Sequence, residues 1–119
     1  MKTAQFNESD IYELLYRLGL TADSVSFFHT AYAVRLIVEE PERLTLVTKL
    51  LYPSVAKRYR TTWRAVERSI RRAALVAWRA NPEYLRKLAR YRLYRCPTAA
   101  KFLAILSANV TTIAAESVS

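Results

Sequence analysis

The sequence predicts an all-α fold, a single domain of six helices, on three observations. Glycine occurs once, at Gly19, and proline four times in 119 residues, too few for the turns of a β-sandwich. Apolar residues recur at the three- and four-residue spacing of amphipathic helices in segment after segment. The composition is 52% hydrophobic, and a chain of this length buries roughly two-thirds of its unfolded surface, enough for one core without disulfides.

Ser9 and Asp10 open the first helix, Ile11, Leu14, Leu15 and Leu18 form its apolar stripe, and Gly19 supplies the left-handed residue that stops it. In the second helix Thr21 is the expected cap, Val25, Phe28, Tyr32 and Leu36 point inward, and Pro41 marks the exit near Glu40. Leu44, Val47, Leu51, Val55 and Tyr59 continue at helical spacing, but Pro53 removes a backbone donor, so the third helix is expected to be kinked or broken.

Thr61 and Thr62 can cap a fourth helix, with Trp63, Val66, Ile70, Ala73, Ala77 and Trp78 inward and an end near Ala80. Asn81 as cap and Pro82 at the first helical position begin a short fifth helix. Residues 92–98 then connect to a sixth, capped by Thr98 and carrying Phe102, Leu103, Leu106, Val110 and Ile113. Frayed ends are expected at 1–7 and 116–119.

Charge is divided unevenly along this frame. The formal net value is +9 and the isoelectric point is near 10.1. Residues 1–56 hold five cations against seven anions, a balance of −2, whereas residues 57–101 hold 14 cations against Glu67 and Glu83, a balance of +12. A cation excess on that scale favours a polyanionic partner, with nucleic acid first. The lone Cys96 has no internal disulfide partner and the N-terminus lacks a signal-like apolar run, which points to the cytoplasm. The longest apolar stretch, LAILSANVTTIAA, is too short and too polar to span a membrane.

Within the basic half, burial of Val66, Ile70, Ala73 and Ala77 leaves Arg64, Glu67, Arg68 and Arg71 on the opposite side of the fourth helix. An α-helix fits the DNA major groove, where Arg bonds guanine bidentately and Glu accepts from cytosine. These four are the base-contacting candidates. The preceding short helix turns Val55, Ala56 and Tyr59 inward, and Ala56 stands ten residues before Val66, the spacing of a helix-turn-helix pair. The usual turn glycine is absent, with Arg60 near its place. Lys57, Arg58, Arg60, Thr61, Thr62 and Arg72 surround the turn as phosphate-contacting candidates.

The string LYPSVAKRYRTTWRAVERSIRRAALVAW, residues 51–78, resembles the C-terminal DNA-binding domain of the stage-zero sporulation response regulator, whose pattern runs L-Y-P-x-[IV]-A-K-[KR]-[FY]-x-T-T-x-x-x-V-E-R-x-I-R-x-A-x-x-V-A-W. Every fixed position is met, and the likeness extends through LLYRLGL and VTKLLYP upstream and CPTAAKFLAIL downstream. The resemblance implies a six-helix effector domain, winged-helix-like but without strands, with the helix-turn-helix at about 52–78 and a recognition helix at about 62–79 in the major groove. It further implies a head-to-tail homodimer on tandem duplex sites, and it places Glu67, Arg68 and Arg71 toward the bases.

Three departures accompany the likeness. Trp63, Arg64 and Ala65 alter the first turn of the recognition helix. The stretch between the fifth and sixth helices is shorter and more basic, with Arg86, Lys87, Arg90, Arg92 and Arg95 as further backbone or partner contacts. The family's phosphorylated receiver domain does not fit into 119 residues, so no phospho-switch is assigned, and an excised domain and a freestanding relative both remain open, the leader after Met1 favouring the latter.

Other residues carry less chemistry. His29 has no ligand-spaced partners and reads as structural or surface; Cys96 lies where a helix start could favour a thiolate but has no partner base. Trp78 reads as core, while Trp63 either packs at the turn or lies against a DNA backbone. No phosphate loop, nucleophile motif or metal set is present, so neither enzyme activity nor a cofactor is expected. Two rival readings stand beside a sequence-specific transcription regulator. One is a protein-interaction module that modulates a related regulator; the other is a non-specific binder of nucleic acid or anionic surfaces.

Overall fold

The computed structural model describes the backbone of residues 7–118 and the side chains of residues 7–110. Six α-helices follow in order: α1 (Glu8–Arg17), α2 (Val25–Glu39), α3 (Tyr52–Tyr59), α4 (Trp63–Ala80), α5 (Pro82–Ala89) and α6 (Ala99–Val118). A 3₁₀ turn at Pro41–Leu46 and a π-helical turn at Val47–Leu51 join α2 to α3. No strand occurs among the described residues. Nor is any of their helices long and apolar enough to cross a membrane.

Helix starts follow the caps, with two shifts from expectation. Asn7, not Ser9, caps α1, and its N–H donates to the Asp10 carboxylate at 3.0 Å. Ser24, not Thr21, caps α2, its hydroxyl accepting from the Phe27 N–H at 3.1 Å, while Thr21 is turned to Asp23. Asn81 and Thr98 cap α5 and α6 as expected, accepting from Tyr84 and Lys101. The segment before α3 is broken, but Pro53 is not the breaker: it sits in the first turn of α3, where its missing donor is harmless, and the irregular turns precede it. The frayed ends fall largely outside the described residues; of these positions Asn7 is a cap and the backbone of 116–118 continues α6. Ile113 also lies outside the described side chains.

Helix α2 is central and packs on α1, α3, α4 and α6. Its inward phase differs in part from the expected one: Leu36 is buried as expected, but Val25 is 63% exposed and Phe28 and Tyr32 are half-buried, whereas Phe27, Ala31, Val34 and Ile37 are buried. A helix covered on several sides is apolar nearly all round, so periodicity does not reveal which flank is deepest. The α6 residues Phe102, Leu103, Leu106 and Val110 are fully buried, and Asn109 ties that helix to α5 by donating to the Leu88 carbonyl at 2.9 Å.

The end of α1 is held against the end of α4. Leu20 N–H returns to Leu15 O and Gly19 N–H to Tyr16 O, a Schellman closure with Gly19 at φ +96°. A Cβ at Gly19 would stand 2.5 Å from the Cβ of Ala80, so both backbone angle and packing demand glycine there. Asn81, besides capping α5, donates to the Arg17 carbonyl at 2.8 Å.

Candidate nucleic-acid interface

Helices α3 and α4 meet through a turn built without glycine. Thr61 N–H bonds Ala56 O at 2.9 Å and Arg60 N–H bonds Lys57 O at 3.4 Å, a second Schellman closure in which Arg60 takes the left-handed position at φ 56°. That conformation costs an L-residue roughly 1–2 kcal/mol. Thr62 then caps α4: its hydroxyl accepts from Ala65 N–H at 3.1 Å and its carbonyl from Val66 N–H at 3.1 Å. The hydroxyl hydrogen of Thr62 stays available as a donor.

The orientation of α4 is fixed by Val66, Ile70, Ala73, Ala74 and Ala77, all fully buried, with Ala56 of α3 buried beside them. Trp63 and Trp78 pack half-buried at either end. A further tie comes from His29 of α2, which is 4% exposed and has Nδ1 2.9 Å from the Ser69 hydroxyl. Its imidazole also meets the Tyr59 ring at 4.9 Å, and desolvation pushes its pKa down. Tyr59, expected inward, is 36% exposed, because it ends α3 and covers His29 from outside.

Arg64, Arg68, Arg71 and Arg72 are exposed on α4. Arg64 lies over the Trp63 ring at 5.1 Å, so the altered first turn is a stacked Trp–Arg pair. Glu67 is less open than its neighbours, with its side chain 35% accessible against 62% for Arg71, and the two are paired at 3.4 Å. Tyr52 of α3 is buried, and its pKa is pushed up to about 12, first by burial and then by the Glu67 charge. Lys57, Arg58, Arg60, Thr61 and Thr62 are exposed around the turn, and Arg58 stacks over Tyr32 and Tyr59 at 5.8 and 5.6 Å.

One cleft was not anticipated. The exposed side of α4 continues through Leu75, Val76 and Arg79 to Cys96, enclosing an open volume of about 610 Å³ with Arg68, Arg71 and Arg72. The signal was present in the spacing of Arg68, Arg72, Leu75 and Arg79, one helical stripe longer than the turn. Desolvation pushes the Cys96 thiol up, with Arg79 opposing, so burial outweighs any pull toward thiolate. Among the described residues no three His, Cys, Asp or Glu side chains gather at metal-ligating range.

Residues 11–110 match the family described as sporulation initiation factor Spo0A C terminal. The chain belongs to that family. The match takes in α2 through α5 whole, with most of α1 and the first half of α6, and so includes the entire α3–turn–α4 unit. The family is the DNA-binding effector domain of a sporulation transcription factor and not an enzyme family. Double-stranded DNA is therefore its partner at family level.

Proposed function

We propose that this chain is a sequence-specific regulator of transcription that inserts α4 into the major groove of duplex DNA. The observation that carries the reading is the division of α4 into a fully buried aliphatic side and an uncovered side bearing Arg64, Arg68 and Arg71. Arg68 and Arg71 present guanidinium forks suited to guanine, while Glu67 holds Arg71 at 3.4 Å and is itself an acceptor for cytosine. Lys57, Arg58, Arg60, Thr61, Thr62 and Arg72 position the helix on phosphates, aided by the N-terminal amides of α4. The protein works at the chromosome in the cytoplasm, as a homodimer on tandem sites.

Selection from randomised duplexes tests this directly. An enriched motif is expected, and Arg68→Ala or Arg71→Ala should relax it at one position each by about 1–3 kcal/mol. A pool with no enrichment would return the chain to the non-specific class. A second reading, docking of a regulatory protein, draws on Leu75 and Val76, which are exposed between arginines on α4. Polar substitution of both would then abolish partner capture and leave the motif unchanged.

A further inference from the structure

The connection between α5 and α6 is shaped as a platform. Arg90 closes α5 in the left-handed conformation at φ 63°, its N–H returning to Arg86 O at 3.3 Å, so the chain leaves the helix sharply. Leu93 and Pro97 are buried as two anchors, and Tyr91, Arg92, Tyr94 and Arg95 around them are exposed. Tyr91 is 51% and Tyr94 79% exposed, and Arg92 donates to the Tyr94 hydroxyl at 3.4 Å. Tyr91, Arg92 and Tyr94, together with Arg86 and Arg90, line an open cleft of about 580 Å³, and Arg95 lies exposed just beyond it in the chain.

Cations at the end of a helix favour its dipole, which accounts for Arg86 and Lys87 in the last turn of α5. It does not account for Arg92 and Arg95, which lie beyond the helix. Arg86 is partly engaged, its guanidinium 4.9 Å from the Trp78 ring. The platform also adjoins the exposed side of α4, since Cys96 of the same connection lines the cleft with Arg68, Arg71, Arg72 and Arg79. Exposed cations thus lie both on α4 and on the connection that meets it at Cys96.

We infer that the α5–α6 connection is a second phosphate-binding surface, on which the duplex held by α4 continues beyond its recognised bases. The inference rests on the DNA reading above. Arg92 and Arg95 bond backbone oxygens as exposed cations, and the Tyr94 hydroxyl, already oriented by Arg92, adds a neutral donor. Because phosphate contacts carry no sequence information, this surface raises affinity and salt dependence without changing the motif.

The test compares the whole chain with Arg92→Gln/Arg95→Gln and with Tyr94→Phe, all at exposed positions, on a motif duplex trimmed to the recognised bases and on one with flanks. The wild type should bind the flanked duplex tighter. The double variant should lose most of that gain, roughly threefold to tenfold, with the slope of log affinity on log salt shallower by about 2 and the selected motif unchanged. Tyr94→Phe should show a smaller loss of the same kind. Equal binding by variant and wild type on the flanked duplex overturns the inference while leaving α4 recognition intact. So does an equal loss on both duplexes, or a loss confined to single-stranded DNA, which would assign the tyrosines to base stacking. Absence of any selected motif is a separate failure, that of α4; the flank effect is then read on arbitrary duplexes of the two lengths.

Discussion

The Ser69 hydroxyl stands 2.9 Å from Nδ1 of His29, joining the inward flank of α4 to the central helix α2 across 40 residues of sequence. The imidazole is buried, so its ring nitrogen has no water to replace that partner. Ser69→Ala should destabilise the protein by about 1–3 kcal/mol, read from chemical denaturation, and should weaken DNA binding through the angle of α4 rather than through lost contacts. Rescue by Ser69→Thr would be expected; an unchanged midpoint in Ser69→Ala would remove His29 from the positioning of α4.

The same histidine makes stability depend on pH. Its folded pKa is lowered by desolvation, so below about 6.5 the unfolded chain binds more protons than the folded one. Stability should therefore fall as pH drops from about 6.5 toward the folded value, and level off beneath it. The difference between wild type and His29→Gln, measured by denaturation from pH 7.5 downward, should shrink over that window. A constant difference would contradict the desolvation of His29.

Arg60 holds the glycine position of the α3–α4 turn. Arg60→Gly relieves the left-handed backbone while freeing the unfolded chain, a net gain of roughly 0.5–1 kcal/mol. It also removes a cation from the turn, so affinity should fall for all duplexes alike. The prediction is a higher melting temperature together with weaker, equally selective binding. Gain or loss of both together would contradict it.

Gly19→Ala should act in the opposite sense. The new methyl meets Ala80 at 2.5 Å and the backbone angle is unfavourable, so a loss of at least about 2 kcal/mol is expected. Gly19→Ala with Ala80→Gly should recover only the packing part. Full recovery in the double variant would show that the φ of +96° carries no strain.

Lys57→Ala and Thr62→Ala separate two roles at the start of α4. Lys57→Ala should leave stability within about 0.5 kcal/mol and reduce the salt slope by about 1. Thr62→Ala removes the cap from Ala65 N–H and should cost about 1 kcal/mol of stability as well as affinity. Thermal melts beside salt titrations of duplex binding distinguish them.

Much of the helical frame was legible in the residues themselves, because caps, prolines and apolar spacing act over a few neighbours. Asn81 and Pro82, Thr98, Gly19 and the inward set Val66, Ile70, Ala73 and Ala77 each follow from local chemistry. The concentration of cations in 57–101, and with it a polyanionic partner, was equally local. Where a helix is apolar on most sides, as α2 is, local spacing leaves its phase undetermined; the surrounding helices decided that Phe27 is buried and Val25 exposed. Packing likewise decided that Glu67 is half-covered on α4, that His29 meets Ser69, and that Cys96 joins the arginines of α4. Those relationships depend on distances between segments far apart in the chain, and only the balance of all packed surfaces sets such distances.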